Sequence, residues 1–242
     1  MPRFFSDQIH PGCIALTLGG EDAKHISRSL RMKPGEIITV SDGAGTDYGC
    51  EITQIDRDAV ALKILYSHES GVEPSVHVTL YQGVPKGDKM EELIQKCVEL
   101  GISKVVPVLT RRSVSRPEEK SAAKKRERYA KIALEAAKQC GRGVIPEVAP
   151  MTAFRQAVNE SREDIKILFY EGGGAPLTSL VAPNAKSIAI FIGPEGGFEK
   201  EEVDFLIENG GVNATLGKRI LRTQTAPVAA LSAIMLLTGN LE

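Results

Sequence analysis

The four cysteines, Cys13, Cys50, Cys97 and Cys140, lie far apart, and no CxxC spacing exists for a metal or a redox pair. A chain of 242 residues does not need disulfide staples, so reduced thiols in a cytoplasmic compartment are expected. The four histidines, His10, His25, His68 and His77, also lack ligand spacing, which argues against a metal site. The N-terminal Met1-Pro2-Arg3-Phe4-Phe5-Ser6-Asp7 has no apolar h-region, so no signal peptide is expected. No apolar run is long enough to span a bilayer, so no membrane association is expected. No Ser-His-Asp or Cys-His order suggests covalent catalysis. Tryptophan is absent, aromatics are sparse, and a net charge of −1 gives no global hint of a polyanionic partner. What remains is the composition of an ordinary soluble protein, 42% hydrophobic and 25% charged, with room for one large domain or two smaller ones.

The average charge hides a local excess. Residues 111–142 hold eleven Lys and Arg against four Glu, so this segment carries +7 and the rest of the chain −8. A concentrated positive field attracts phosphate backbones. Within it, residues 118–140 read as one long helix. Lys124, Arg128, Lys131, Lys138 and Arg142 follow i, i+4, i+7, i+14 and i+18, and so share a stripe. Ala122, Tyr129, Ala133, Ala136 and Cys140 make the opposite, buried stripe. The bland alternative is a solvated helix face, with Glu135 a simple partner of Lys131. Arg3, Lys24, Arg28, Arg31 and Lys33 form a second candidate basic surface, and Lys86 and Lys89 are placed to touch phosphate.

Two patterns of secondary structure divide the chain. Residues 1–70 show period-2 alternation in Ile37–Val40, Tyr48–Ile55 and Ala59–Tyr66, broken by Ser41-Asp42-Gly43-Ala44-Gly45 and Asp56-Arg57-Asp58; this predicts a small antiparallel barrel. A helix over Glu21–Arg31 precedes these strands, and His68–Ser75 reads as a linker. From residue 76 strands alternate with helices, which predicts an α/β domain with a parallel sheet over residues 75–242. Its strands are Val76–Tyr81, Lys104–Leu109, Ile165–Tyr170 and Ser187–Ile192. Asp88-x-x-Glu91 reads as a capping box before an apolar stripe of Met90, Leu93, Ile94, Cys97 and Val98 closed by Gly101. Glu199–Asn209 and Ala226–Leu237 are the last helices.

Two glycine-marked stretches follow apolar runs, Gly193-Pro194-Glu195-Gly196-Gly197-Phe198 and Leu216-Gly217-Lys218-Arg219-Ile220-Leu221-Arg222-Thr223-Gln224-Thr225-Ala226. Ligands of open α/β sheets bind at the carboxyl ends of strands, so these stretches are the candidate walls of one pocket. Neither matches GxGxxG or a Walker A loop, which excludes the common dinucleotide and NTP fingerprints. An ordinary tight turn and a capped helix with two surface arginines are the bland alternatives.

These residues resemble the bacterial 16S ribosomal RNA (uracil N3)-methyltransferases, RsmE-like members of the SPOUT superfamily. The resemblance covers nearly the whole chain and rests above all on Gly193-Pro194-Glu195-Gly196-Gly197 and Leu216-Gly217-x-Arg219-Ile220-Leu221-Arg222-Thr223-x-Thr225-Ala226. Supporting stretches are Arg3-Phe4-Phe5, His25-x-x-x-x-Leu30-Arg31, Gly35, Pro85-Lys86-Gly87-Asp88-Lys89, Gln95-Lys96-Cys97-x-Glu99-Leu100-Gly101, Arg112-Ser113 and Gln139-x-Gly141-Arg142. The resemblance implies a PUA-like β-barrel before a SPOUT domain with a C-terminal trefoil knot. It also implies S-adenosylmethionine as methyl donor, a homodimer, and a uridine of 16S rRNA within the small ribosomal subunit as substrate. Carried over, it places Leu168, Phe169, Ile192, Gly193, Gly197, Leu216, Gly217 and Leu221 around the cofactor. Arg222 is expected to stabilise developing charge on the uracil, and Glu195 either serves as base or orients its loop. Arg3, Lys24, Arg28, Arg31, Lys86, Lys89, Arg112, Lys124, Arg128, Lys131 and Arg142 are the expected RNA contacts. One position departs from the family pattern: Gln224 stands where Glu is usual, and a neutral amide cannot take a proton as a carboxylate does. A non-catalytic RNA-binding module and a nucleotide-phosphate enzyme are the competing classes; intact pocket glycines argue against the first, and the missing phosphate-loop Lys against the second.

Overall fold

The computed structural model describes residues 1–241. The chain forms two compact units, Met1–Glu73 with Ala137–Ile145, and Pro74–Ala136 with Pro146–Glu242.

The first unit is built on β1 (Arg3–Phe5), β2 (Ala15–Gly19), β3 (Ile37–Ser41), β4 (Thr46–Ile55) and β5 (Ala59–Glu69) in the order β1-β3-β4-β5-β2. All pairs are antiparallel except β1 with β3, so the expected purely antiparallel set has one parallel edge. Alternation puts Ile38, Val40, Cys50, Ile52, Val60 and Leu62 into one core with Phe4 and Ile26. The helix expected over Glu21–Arg31 is shorter: α1 (Gly20–Lys24) gives way to a π-helical turn, His25–Ser29. The Leu30 amide bonds the His25 carbonyl five residues back, at 2.9 Å, and the wider turn keeps Ile26 fully buried. Arg31 then takes φ +53°, and Pro34 follows.

The stretch Ala137–Ile145 groups with this unit, although the sequence division places it in the C-terminal domain. The reason includes a set of largely part-buried polar ties. Glu73 accepts from the Arg142 guanidinium at 2.6 Å and from the Gly143 and Val144 amides at 3.0 and 3.1 Å. Ser41 Oγ donates to the Gly143 carbonyl at 2.9 Å.

The second unit is a parallel sheet. Its strands are β6 (His77–Gly83), β7 (Lys104–Leu109), β8 (Glu147–Val148), β9 (Thr152–Ala153), β10 (Ile165–Phe169), β11 (Ala175–Pro176), β12 (Ser187–Ile192) and β13 (Val212–Thr215). They lie in the order β11-β13-β10-β12-β6-β7-β8, with β9 also on β7, and every pairing is parallel. The helices are α2 (Lys89–Glu99), α3 (Glu119–Cys140, whose last turn belongs to the first unit), α4 (Phe154–Glu160), α5 (Lys200–Glu208) and α6 (Ala226–Leu237). One face of the sheet packs Tyr81, Leu168 and Phe191 against Phe154, Phe198 and Leu206; Tyr81 stacks on Phe191 with ring centroids 4.4 Å apart. On the other side α6 packs on α2 and β12.

Three local expectations change. Asp88 makes no side-chain cap; α2 starts on a backbone bond from the Glu91 amide to the Asp88 carbonyl, and the Glu91 carboxylate pairs with Arg128 at 2.7 Å instead. The capping box stands at α5, where Glu199 and Glu202 satisfy each other's amides. On α3 the buried stripe is Tyr129, Ala133, Ala136 and Ala137, whereas Ala122 is half-buried and Cys140 exposed. Among the described residues no helix is long and apolar enough to cross a membrane, and no group of three or more potential ligands could hold a metal ion.

Candidate active site

Four parallel strands end within one residue of a common row. Gln82 of β6 pairs with Ile192 of β12, Ile192 with Phe169 of β10, and Phe169 with Ala214 of β13. The residues after this row leave the sheet as loops, and the loops enclose a cavity of about 750 Å³. This is the carboxyl edge where open α/β sheets hold their ligands.

Of the residues expected around a cofactor, Phe169, Ile192, Gly193, Gly197, Leu216, Gly217 and Leu221 all line the cavity. Leu168 does not. The side chains of a strand alternate, and Leu168 points into the core beside Phe191 and Phe198, fully buried. The sequence reading missed a third wall, Tyr170-Glu171-Gly172-Gly173-Gly174, which also lines the cavity. Its signal was available, because it too is a glycine run directly after a buried strand.

The glycines are where the backbones come too close for a side chain. A Cβ on Gly193 would stand 2.9 Å from the Gly197 Cα, and one on Gly83 would stand 2.4 Å from Pro194 Cδ. Gly197 also takes φ +68°, which L side chains rarely adopt. The apolar wall of Phe169, Ile192, Leu216 and Leu221 and the bare backbone at Gly193 and Gly197 suit a flat ring held by shape and main-chain groups.

The mouth is mostly cationic. Lys218, Arg219 and Arg222 come from the β13–α6 loop and Lys89 from α2, against Glu171 and Glu195. Arg222 is exposed and makes no ion pair among the described residues. Glu195 is held differently. Partial burial pushes its carboxyl pKa up, but the hydrogen bond from Lys89 and those from backbone amides outweigh this and hold it below the usual carboxylate range. Its Oε1 lies 2.6 Å from Lys89 Nζ and 3.2 Å from the Lys86 amide. A carboxylate so engaged is a weak base, and its geometry is that of a loop anchor. Gln224 also faces the cavity, half-buried.

The expected RNA contacts divide in three. Arg3 and Arg142 belong to the fold: Arg3 donates to the buried Asp47 carboxylate at 2.7 Å, Arg142 pairs with Glu73, and their side chains are only 13% and 7% exposed. Arg142 also lies beyond the end of α3, off the stripe assigned to it. Arg112, Arg128 and Lys89 are engaged with carboxylates. Arg112 Nε donates to Glu199 at 2.9 Å and its Nη1 to the Gly196 carbonyl at 2.7 Å, so it braces the glycine loop. Lys24, Arg28 and Arg31, brought together by α1 and the π-turn, are exposed, as are Lys86, Lys124 and Lys131.

A family model for an RNA methyltransferase domain matches residues 72–235, and one for an RNA methyltransferase PUA domain matches residues 18–65. Ribosomal RNA small subunit methyltransferase E of Bacillus subtilis (strain 168) is 38% identical over 226 residues, covering 90% of this chain and 88% of that protein. The chain belongs to the ribosomal RNA small subunit methyltransferase E family. The Aquifex aeolicus (strain VF5) member is 30% identical, over 97% of this chain and 99% of its own length. The crystal structure of the Neisseria gonorrhoeae member bound to S-adenosyl methionine superposes with a TM-score of 0.90 at 32% identity, covering 98% of each chain.

Proposed function

We propose that the protein transfers a methyl group from S-adenosylmethionine to N3 of a uridine in 16S rRNA of the small ribosomal subunit. The observation that carries this reading is the cavity at the strand ends, walled by glycine loops in a fold whose Neisseria relative was crystallised with that cofactor. When bound, S-adenosylmethionine supplies an electrophilic methyl group on a sulfonium centre. The chain's own residues then have two tasks, to align the uracil and to favour its N3 anion.

Arg222 is placed for the second task. Loss of the N3 proton spreads negative charge over O2 and O4, and a guanidinium at the cavity mouth offers paired donors to such oxygens. Glu195 anchors its loop through Lys89 and Lys86, and Gln224 cannot accept a proton as a carboxylate does. The proton therefore leaves to solvent from a uracil made more acidic by Arg222. At Glu171, one carboxylate facing the cavity suits the cofactor's ammonium or ribose hydroxyls.

The reading divides the chain into an RNA-binding PUA-like barrel over 1–70 and a SPOUT domain over 75–242, with a C-terminal trefoil knot. Support for the knot is the return of the β13–α6 loop, where Thr223 meets the Gly193 carbonyl at 2.8 Å before α6 packs on β12 and α2. A homodimer is supported by α6, which carries no charged residue and leaves Leu236 58% exposed.

Incubating the protein with small-subunit rRNA and labelled S-adenosylmethionine, followed by nucleoside analysis, tests the reading: label is expected in 3-methyluridine. Label in another nucleoside, or none, would overturn it. RNA affinity should also fall with salt. If Lys24, Arg28, Arg31, Lys86 and Lys124 meet phosphates, log affinity should decline against log salt with a slope of about −3 to −5. A flat response in a filter-binding series would remove these residues from the interface.

A further inference from the structure

We infer that Gln82 is a positioning residue for the methyl-donor pocket, locking its two glycine-marked walls to each other from behind; this rests on the cofactor reading above. Gln82 is fully buried and does not line the cavity. Its Nε2 lies 2.9 Å from the Gly83 carbonyl, 3.3 Å from the Gly193 carbonyl and 3.1 Å from Thr223 Oγ1. Thr223 Oγ1 in turn donates to the Gly193 carbonyl at 2.8 Å. One amide thus ties the end of β6 to the loop after β12 and to the loop before α6.

The amide's orientation follows from its neighbours. Two carbonyl oxygens face the nitrogen and can only accept, so a flipped amide would set oxygen against oxygen. The other end is costly. Gln82 Oε1 is buried and has no hydrogen-bond partner among the described residues. An unpaired buried acceptor destabilises a fold; an apolar side chain of similar volume would remove that penalty but also withdraw a donor from the buried Gly83 and Gly193 carbonyls, so the two effects on stability oppose each other. With the stability effects opposed, the distinctive consequence of a glutamine here is that its amide ties the two loops together. Gly193 is the hinge point of the effect: its carbonyl takes both donors, and the Gly193–Gly197 turn forms the cavity wall.

The test uses Gln82→Met, Thr223→Val and Thr223→Ser beside the wild type. S-adenosylmethionine affinity is measured by calorimetric titration, ligand-free Tm by calorimetric scanning, and ligand-free amide exchange by mass spectrometry. Gln82→Met and Thr223→Val are expected to weaken binding about tenfold or more. Their Tm should stay within about 3 °C of wild type, while exchange at Gly193–Gly197 rises. Thr223→Ser keeps the hydroxyl and should retain affinity within about threefold. Unchanged affinity and unchanged loop exchange in Gln82→Met would overturn the inference. So would a binding loss matched by faster exchange throughout the sheet, which marks a merely structural residue. A wild type that does not bind S-adenosylmethionine would refute the methyl-donor reading instead, and the ligand-free loop exchange would still decide the role of Gln82.

Discussion

Arg222→Ala is expected to slow methyl transfer about a hundredfold to a thousandfold while S-adenosylmethionine binds within about threefold of wild type. The asymmetry follows from where the residue sits. Cofactor affinity is assigned to backbone and apolar groups at Gly193, Gly197, Ile192, Leu216 and Leu221 and to the Glu171 carboxylate, none of which the substitution replaces. Arg222 stands at the mouth with no ion pair among the described residues, so its donors are available to a ligand. Its proposed work is done only when the uracil carries charge, which places the loss in kcat more than in any KM. Arg222→Lys should recover only part of the rate, because an ammonium lacks the paired planar donors. A variant turning over normally would show that the charge is stabilised elsewhere.

The pH profile bears on the same assignment. Glu195 has a lowered pKa in the folded chain, so it stays ionised at every pH above the ordinary carboxylate range near 4. Because the folded value is depressed, whatever its pair with Lys89 contributes to stability is present at neutral pH and is lost only as pH falls through that value. It cannot supply an inflection between pH 6 and 8. With proton loss to solvent, single-turnover rates should climb close to tenfold per pH unit across that range, and Glu195→Gln should leave the slope unchanged. A plateau below pH 7 that disappears in Glu195→Gln would restore Glu195 as the base.

The residues themselves explain which parts of this site were legible. Gly193, Gly197 and Gly217 could be read because glycine after a buried strand reports a backbone constraint that is local in sequence. Tyr170–Gly174 carries the same mark, a glycine run directly after a buried strand. Leu168 was misplaced by a single residue, and in a strand one residue is the difference between two faces. Arg3 and Arg142 looked like RNA contacts because charge is visible in a sequence while its partner is not. Asp47 lies 44 positions from Arg3, and Glu73 lies 69 from Arg142. The same blindness hid Gln82, whose two N–H groups are shared among three acceptors, two of them 111 and 141 positions away. Periodicity found α2 because its apolar stripe is local, yet it gave no reason for Ala137–Ile145 to join the first unit, which the ties to Glu73, Ser41 and Asp22 and the bridges of Val144 to Gly43 and Ala44 explain.

Gly83→Ala should disrupt the pocket strongly. Gly83 ends β6, opposite the start of the loop after β12, and its Cα is pressed against that loop. An added Cβ would lie 2.4 Å from Pro194 Cδ, 2.6 Å from the Pro194 nitrogen and 2.9 Å from the Gly193 carbonyl carbon. Two of these three atoms belong to the backbone, so no rotamer change relieves the clash and the loop itself must move. Overpacking of this kind costs about 1–3 kcal/mol. Where the movement falls matters more than its cost. Gly193 and Pro194 line the cavity, and displacing them also strains the bonds that Gln82 and Thr223 make to the Gly193 carbonyl. S-adenosylmethionine affinity is therefore expected to fall by about a hundredfold, with a Tm drop of about 3–8 °C. Gly19→Ala is the matched control, since its Cβ would meet only the Asp58 carbonyl oxygen at 3.7 Å, an ordinary contact, and neither property should change. If Gly83→Ala binds the cofactor as tightly as Gly19→Ala does, the two loops are not pressed together in solution, and the pocket as described does not form.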